Sequence, residues 1–233
     1  MPHSVVAFAD ALGTSVSSSY EETASTFLTR LQKATASVAQ RINKIGPLYD
    51  IHVRWFSDSI AMSVSFGDPR QLAGLLANLA FIQAGYALNG IFLRGAVTTG
   101  RHHHSEYIDF GPALTEAVHL ENHAGDGTRI VLSPRLHDDL QAFGMGQLPI
   151  AEDLEDATYF LDFIGALDTL MRLDLRSQIQ TSYQESMRSG DSRTLQKLGW
   201  LASYYNWRTR PARPLEYATI REFREFRPGG RSR

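Results

Sequence analysis

Two aspartates, Asp10 and Asp58, each stand where a short apolar run breaks, and their side chains suit metal-dependent chemistry. Asp58 lies in Val53-Arg54-Trp55-Phe56-Ser57-Asp58-Ser59-Ile60-Ala61-Met62. Hydrophobic residues alternate before it (Ile51, Val53, Trp55) and after it (Ile60, Met62, Val64). A period of two on both sides of a Ser-Asp break predicts a β-hairpin with an acidic tip. An Asp in a turn often only bonds its own backbone. Asp10 changes the balance, because it closes the apolar run Ser4-Val5-Val6-Ala7-Phe8-Ala9. Carboxylates on neighbouring strand ends make a hard-oxygen site suited to Mg²⁺ or Mn²⁺. After Asp10 comes the small-residue stretch Ala11-Leu12-Gly13-Thr14-Ser15, then a helical pattern. Strand, loop and helix in that order let backbone N–H groups receive phosphate. The P-loop pattern G-x-x-x-x-G-K-[ST] is absent, so the loop alone is a weak phosphate signal.

The elements that must position these residues follow from periodicity. Tyr20 to Asn43 carries Phe27, Leu28, Leu31, Ala34, Val38 and Ile42 at helical spacing. Ser18 or Ser19 can cap it, Glu21 and Glu22 suit its first turn, and Gly46-Pro47 stops it. The hairpin comes next. A second helix opens at Gly67-Asp68-Pro69, buries Leu72, Leu75, Leu76, Leu79, Ile82 and Tyr86, and ends at Asn89-Gly90. Residues 91–100 read as a strand, 101–106 as a polar turn, 107–110 as extended and 112–123 as a helix. A strand at 129–132, a helix at 134–143 and a last strand at 159–161 complete the first part. The order β-α-β-β-α-β predicts an α+β fold with a ferredoxin-like mixed sheet. Beyond residue 165, helices over 167–187 and 192–207 and an Arg-rich tail read as a C-terminal helical extension with frayed last residues. The division expected is therefore 1–165 and 166–233.

The 233 residues are 43% hydrophobic and 21% charged, with a formal net charge of −2. That composition fits a soluble globular protein and gives no polyanion-binding character. Zero cysteines exclude disulfides, zinc-thiolate sites and thiol catalysis. The start lacks a basic signal-peptide region and no apolar run reaches a membrane span, so a cytoplasmic protein with no membrane and no nucleic-acid partner is expected.

Taken together, Phe8-Ala9-Asp10-Ala11-Leu12-Gly13, Phe56-Ser57-Asp58-Ser59-Ile60, Leu93-Arg94-Gly95-Ala96-Val97-Thr98-Thr99-Gly100 and Phe110-Gly111-Pro112-Ala113-Leu114 resemble successive motifs of the class III nucleotidyl cyclases. The resemblance spans residues 4–165 and rests on the order and spacing of the motifs. It implies that Asp10 and Asp58 bind two divalent ions, Mn²⁺ or Mg²⁺, with the Ala11 carbonyl as a further ligand. It implies that the backbone from Leu12 through Gly13, Thr14 and Ser15 cradles the triphosphate. Four positions depart from the adenylate cyclase pattern: Arg54 and Ile108 stand at the base-reading positions, Thr115 and His119 at the transition-state positions. The Gly-Gly-Asp-Glu-Phe pattern of diguanylate cyclases is absent.

With these departures the chain is similar to the pyrimidine-nucleotide cyclases of bacterial Pycsar anti-phage systems. That resemblance implies conversion of UTP or CTP to the 3′,5′-cyclic monophosphate and pyrophosphate. It also implies a homodimer with shared active sites and a separate effector that binds the product. An Arg at 54 can donate to a pyrimidine carbonyl, which favours UTP, and Tyr49 could stack on or bond the base. Two other readings stand beside this one: an adenylate or guanylate cyclase with an unusual base pocket, and an inactive cyclase-like dimerisation or binding module. Retention of both Asp10 and Asp58 argues against the second. Elsewhere, His102-His103-His104 reads as a solvated turn, Asp109 as a local turn or interface residue, and Arg94 as a paired buried charge or a phosphate ligand. The Arg-rich tail, interleaved with Glu and Phe, reads as packed or solvated surface.

Overall fold

In a computed structural model, which describes residues 1–12, 21–123, 127–143 and 148–226 (backbone only at 21–23, 45 and 46), the apolar runs become strands of one large sheet. The elements are β1 (His3–Ala11), α1 (Glu21–Ile45), a 3₁₀ turn (Gly46–Tyr49), β2 (His52–Phe56), β3 (Ser59–Ser65), α2 (Pro69–Ala87) and β4 (Leu93–Arg101). Then follow β5 (His103–His104), β6 (Asp109–Phe110), α3 (Pro112–His123), β7 (Ile130–Leu132), α4 (Pro134–Ala142), β8 (Ile150–Asp153) and β9 (Thr158–Leu161). Helices α5 (Thr169–Ser189) and α6 (Ser192–Thr209) and strand β10 (Phe223–Glu225) end the chain. The main sheet runs β10-β8-β9-β7-β4-β1-β3-β2, and β5 pairs with β6 apart from it. Within it, β4-β1-β3-β2 are mutually antiparallel, the ferredoxin-like arrangement of a β-α-β-β-α-β unit.

Alternation sorts the strand residues onto two faces. Ala7, Met62, Val53 and Val97 share one row across β1, β3, β2 and β4, and their face packs on α1 and α2. There α2 buries Leu72, Leu75, Leu76, Leu79, Ile82 and Tyr86, each contributing about 1.5–3 kcal/mol of transfer free energy. Its start follows from Asp68, whose carboxylate accepts from the Arg70 N–H, with Pro69 in the first turn. Gly95 is what lets β4 approach β1 so closely, since a Cβ there would lie 2.2 Å from the Phe8 carbonyl oxygen.

The end of the chain is woven into the same sheet. β10 pairs with β8 along its whole length, and Phe160, Trp200, Tyr204 and Phe223 form an edge-to-face aromatic cluster where α6 meets β9. Strands β8 and β10 do not show in the hydrophobic pattern because their charges are paired rather than solvated: Glu152 with Arg224, and Asp153 with Arg129 and Arg221. No helix among the described residues is long and apolar enough to cross a membrane.

Candidate active site

The second sheet face carries the polar residues. Register aligns Asp10 with Ser59 on one side and Arg94 on the other, while Arg54, Ala61, Phe8 and Ala96 form the next row on the same face. Helix α3 covers part of this face with Ala113, Ala117 and Glu121, spaced four apart, and Ala113 rests on Gly100.

At the head of this face, Asp10 and Asp58 come together. Asp10 accepts a hydrogen bond from Ser59 Oγ at 2.7 Å, and Asp58 is the residue before Ser59 at the hairpin tip. The tip is a two-residue turn, Ser57-Asp58, in which Ser57 takes a φ of 55° as primed hairpin turns require. Burial, the largest influence, pushes the Asp10 carboxyl above its ordinary value; the Ser59 bond opposes this and the charge of Asp58 adds to it. Arg94 answers part of that negative charge, but its Nε lies 2.5 Å from Oε1 of the buried Glu121. Arg94 and Glu121 form an ion contact rather than an aligned hydrogen bond. Arg94, the second residue of β4 and 27% exposed, is thus a paired charge, its partner Glu121 being the buried member.

A crowded, partly desolvated carboxylate pair fits a divalent cation. The described residues contain no group of three His, Asp or Glu side chains disposed to hold a metal by themselves. Two carboxylates completed by substrate phosphates are a usual magnesium arrangement, so the donor set fits a nucleotide-bound ion better than a permanently caged one.

Arg54 sits one row down from this pair, and its surroundings revise the sequence reading. Its Nε donates to Asp109 Oδ2 at 2.6 Å, and its Nη2 donates to the carbonyls of Ser105 (2.7 Å) and Glu106 (3.0 Å). Asp109 Oδ1 faces His104 Nδ1 at 2.9 Å and His102 Nε2 at 3.3 Å, and His52 stacks on His104 with centroids 4.1 Å apart. A carboxylate accepts only, so these two ring nitrogens carry the protons. Burial pushes the Asp109 carboxyl up, yet the bonds from His104 and Arg54 take it below its ordinary value. His102 is 2% exposed, so the histidine run is not a solvated turn; 103–104 and 109–110 instead pair as a small hairpin. Of the two readings of Asp109, local turn or interface residue, the turn is not what is seen: Asp109 holds groups from β2 and β5 together.

Other expected site residues fall elsewhere. Ile108 is 56% exposed and does not meet Arg54; the neighbouring Asp109 does, and an offset of one residue hid it from motif alignment. The Tyr49 ring lies over Gly74 of α2, where a Cβ would come within 2.5 Å of it, at the far end of β2 from the Asp58 tip. The Leu12 N–H donates to the Phe92 carbonyl at 2.8 Å and is therefore not available to a phosphate. Gly13, Thr14 and Ser15 lie outside the described residues. Thr115 and His119 are on the exposed side of α3, away from Ala113, Ala117 and Glu121, and border a shallow depression with Arg101 and Phe110.

No protein-family model matches the sequence, and no curated protein matches it. Solved structures do resemble it. The adenylyl cyclase CyaB from P. aeruginosa is 14% identical, with 72% of this chain and 94% of that chain covered and a TM-score of 0.48. The guanylyl cyclase domain of the RhoGC fusion protein from the aquatic fungus Blastocladiella emersonii is 12% identical over 69% of this chain and 94% of that one, with a TM-score of 0.47. The guanylate cyclase domain of RhGC from Catenaria anguillulae, solved in complex with GTP, is 12% identical over 69% of this chain and 96% of that one, also at 0.47.

Proposed function

We propose that this chain is a class III nucleotidyl cyclase that converts UTP, or CTP, to the 3′,5′-cyclic monophosphate and pyrophosphate. The observation that carries the reading is the convergence of Asp10 and Asp58 at adjacent strand ends, on the sheet face that also carries Arg54. In the reaction the ribose 3′-hydroxyl gives up its proton to solvent and its oxygen attacks the α-phosphorus, the bond to the β-phosphate oxygen breaks, and pyrophosphate leaves with that electron pair. Asp10 and Asp58 would hold two Mn²⁺ or Mg²⁺ ions, with the Ala11 carbonyl as a further ligand. When bound, such ions acidify the attacking hydroxyl and neutralise the triphosphate. Ser59 orients the Asp10 carboxylate, and the Arg94–Glu121 contact keeps that guanidinium beside it. No dedicated strong base is needed, because positioning and charge neutralisation carry most phosphoryl-transfer catalysis.

The protein acts as a homodimer in this reading. Thr115 and His119 face away from the Asp10 side of their own protomer, so their transition-state role requires a second chain. Exposed Tyr107, Ile108 and Phe110 give the β5–β6 region an apolar surface suited to such a contact. Residues 1–165 form the catalytic part, and the described residues of 166–226 brace its sheet edge. A cyclic pyrimidine nucleotide would serve as a second messenger in anti-phage defence, read by a separate effector. The test is to incubate purified protein and Mn²⁺ with each of the four nucleoside triphosphates and separate the products. Cyclic UMP or cyclic CMP with equimolar pyrophosphate is expected. A cyclic purine nucleotide alone would overturn the pyrimidine assignment.

A further inference from the structure

All five groups that fix Arg54 (Asp109, the Ser105 and Glu106 carbonyls, and His102 and His104 behind Asp109) lie within residues 102–109. We propose that Asp109, held by His102 and His104, is a positioning residue that locks the Arg54 guanidinium so that the site selects a base presenting a carbonyl rather than an amino group. The proposal rests on the cyclase reading and on Arg54 as the base contact within it.

A guanidinium carries five N–H donors on three nitrogens and no acceptor. In Arg54, Nε is used by Asp109 and Nη2 by the Ser105 and Glu106 carbonyls. Nη1 is the fork nitrogen without a hydrogen bond among the described residues, on a side chain 27% exposed. Bonds on two edges of a planar group also fix its plane, so Nη1 cannot swing aside. The acceptor that might balance it is hidden: the Asp109 side chain is 9% exposed, with one oxygen turned to Arg54 and the other to two imidazoles. What the site shows is a fixed donor with no hydrogen-bond acceptor engaged among the described residues. Uracil, with a carbonyl at C4, pairs with that donor. Cytosine sets an amino group against it, a donor facing a donor.

His102 and His104 matter because they occupy Asp109 Oδ1 from the core side. His102 is buried by the sheet and His104 is stacked on His52, so the carboxylate cannot rotate away from Arg54 without abandoning both. A hydrogen bond to a charged group is worth about 1.5–3 kcal/mol, which corresponds to about 10- to 150-fold in discrimination if its loss frees the fork.

Two measurements test this together. The first is kcat/KM for UTP and CTP in the wild type, Asp109→Ala and Asp109→Asn. The second is hydrogen exchange of the Arg54 Nε–H by NMR in the nucleotide-free protein, which needs no turnover. The expected result is a UTP preference over CTP that falls at least tenfold in Asp109→Ala and is largely restored in Asp109→Asn, whose amide oxygen can still accept from Nε. The Nε–H is expected to be protected in the wild type and to exchange freely in Asp109→Ala. An unchanged UTP:CTP ratio in Asp109→Ala, with both rates lowered alike, would overturn the selection role. A CTP preference in the wild type would overturn it as well. A protected Nε–H with no turnover of any nucleotide would instead sink the cyclase reading, and the selection role with it.

Discussion

Asp153→Ala should unfold this protein more readily than any surface change, and the size of the effect can be worked out from its neighbours. Asp153 is fully buried and accepts from Trp200 Nε1 at 2.8 Å, Arg129 Nη1 at 3.0 Å and Arg221 Nη1 at 2.7 Å. Truncation leaves the Trp200 N–H without that acceptor and takes from Arg129, itself 3% exposed, its fully buried carboxylate partner, leaving the contact to the partly exposed Asp156 in place. Removing one partner of a buried ion pair costs about 3–5 kcal/mol, and an orphaned buried donor about 1–3 kcal/mol. The two costs overlap, so about 4 kcal/mol is expected, a large share of the stability of a typical domain. For a chain of this length that lowers Tm by about 8–16 °C. Thermal unfolding followed by circular dichroism reads this directly, with Asp153→Asn expected to fall between wild type and Ala. A loss below about 1 kcal/mol for Asp153→Ala would refute the view that this network ties α6 and β10 to the sheet.

Three further outcomes follow from the same geometry. Asp10→Asn keeps an acceptor for Ser59 but removes a charge from the carboxylate pair, so it should abolish stabilisation by Mn²⁺. At a hundredfold excess over Kd the wild type should gain about 2.7 kcal/mol, or about 5–10 °C, and an equal gain in Asp10→Asn would contradict the metal assignment. Burial holds the imidazoles of His52 and His102 below their ordinary pKa of 6.5, so below that pH the unfolded chain binds more protons and stability should fall from pH 7 towards pH 5. Asp10 and Glu121, whose carboxyls are pushed up in the fold, act in the opposite sense; comparing urea midpoints with His102→Gln isolates the histidine contribution, and an identical slope in both proteins would contradict it. Ser57→Gly should raise Tm modestly, by up to about 1 kcal/mol in stability, because it relieves the φ of 55° at the hairpin tip, whereas a loss would show that the Ser57 side chain has another task.

The sequence made the central unit legible because its elements obey simple periods. The Asp58 hairpin shows as alternation on both sides of its tip, and α3 begins and ends at Pro112 and His123 as the pattern predicts. Strands β8 and β10 were not legible, since Glu152, Asp153 and Arg224 look like surface residues until their partners, far along the chain, neutralise them. The Arg54 clamp was hidden for the same reason. Histidines and an aspartate in a polar stretch have the composition of a loop, and only the β5–β6 pairing turns them inward. The motif gives the second base-reading position to Ile108, whereas the residue paired with Arg54 is its neighbour Asp109. Leu12 was misjudged as a phosphate donor because its amide partner, the Phe92 carbonyl, lies 80 residues away.

The most direct test of the central claim compares the wild type with Asp58→Ala, each shown to be folded, for nucleotide turnover with Mn²⁺. The account predicts a cyclic pyrimidine nucleotide and pyrophosphate from the wild type and neither from the variant. Equal product from both proteins, or none from the wild type with any of the four nucleotides, would contradict it.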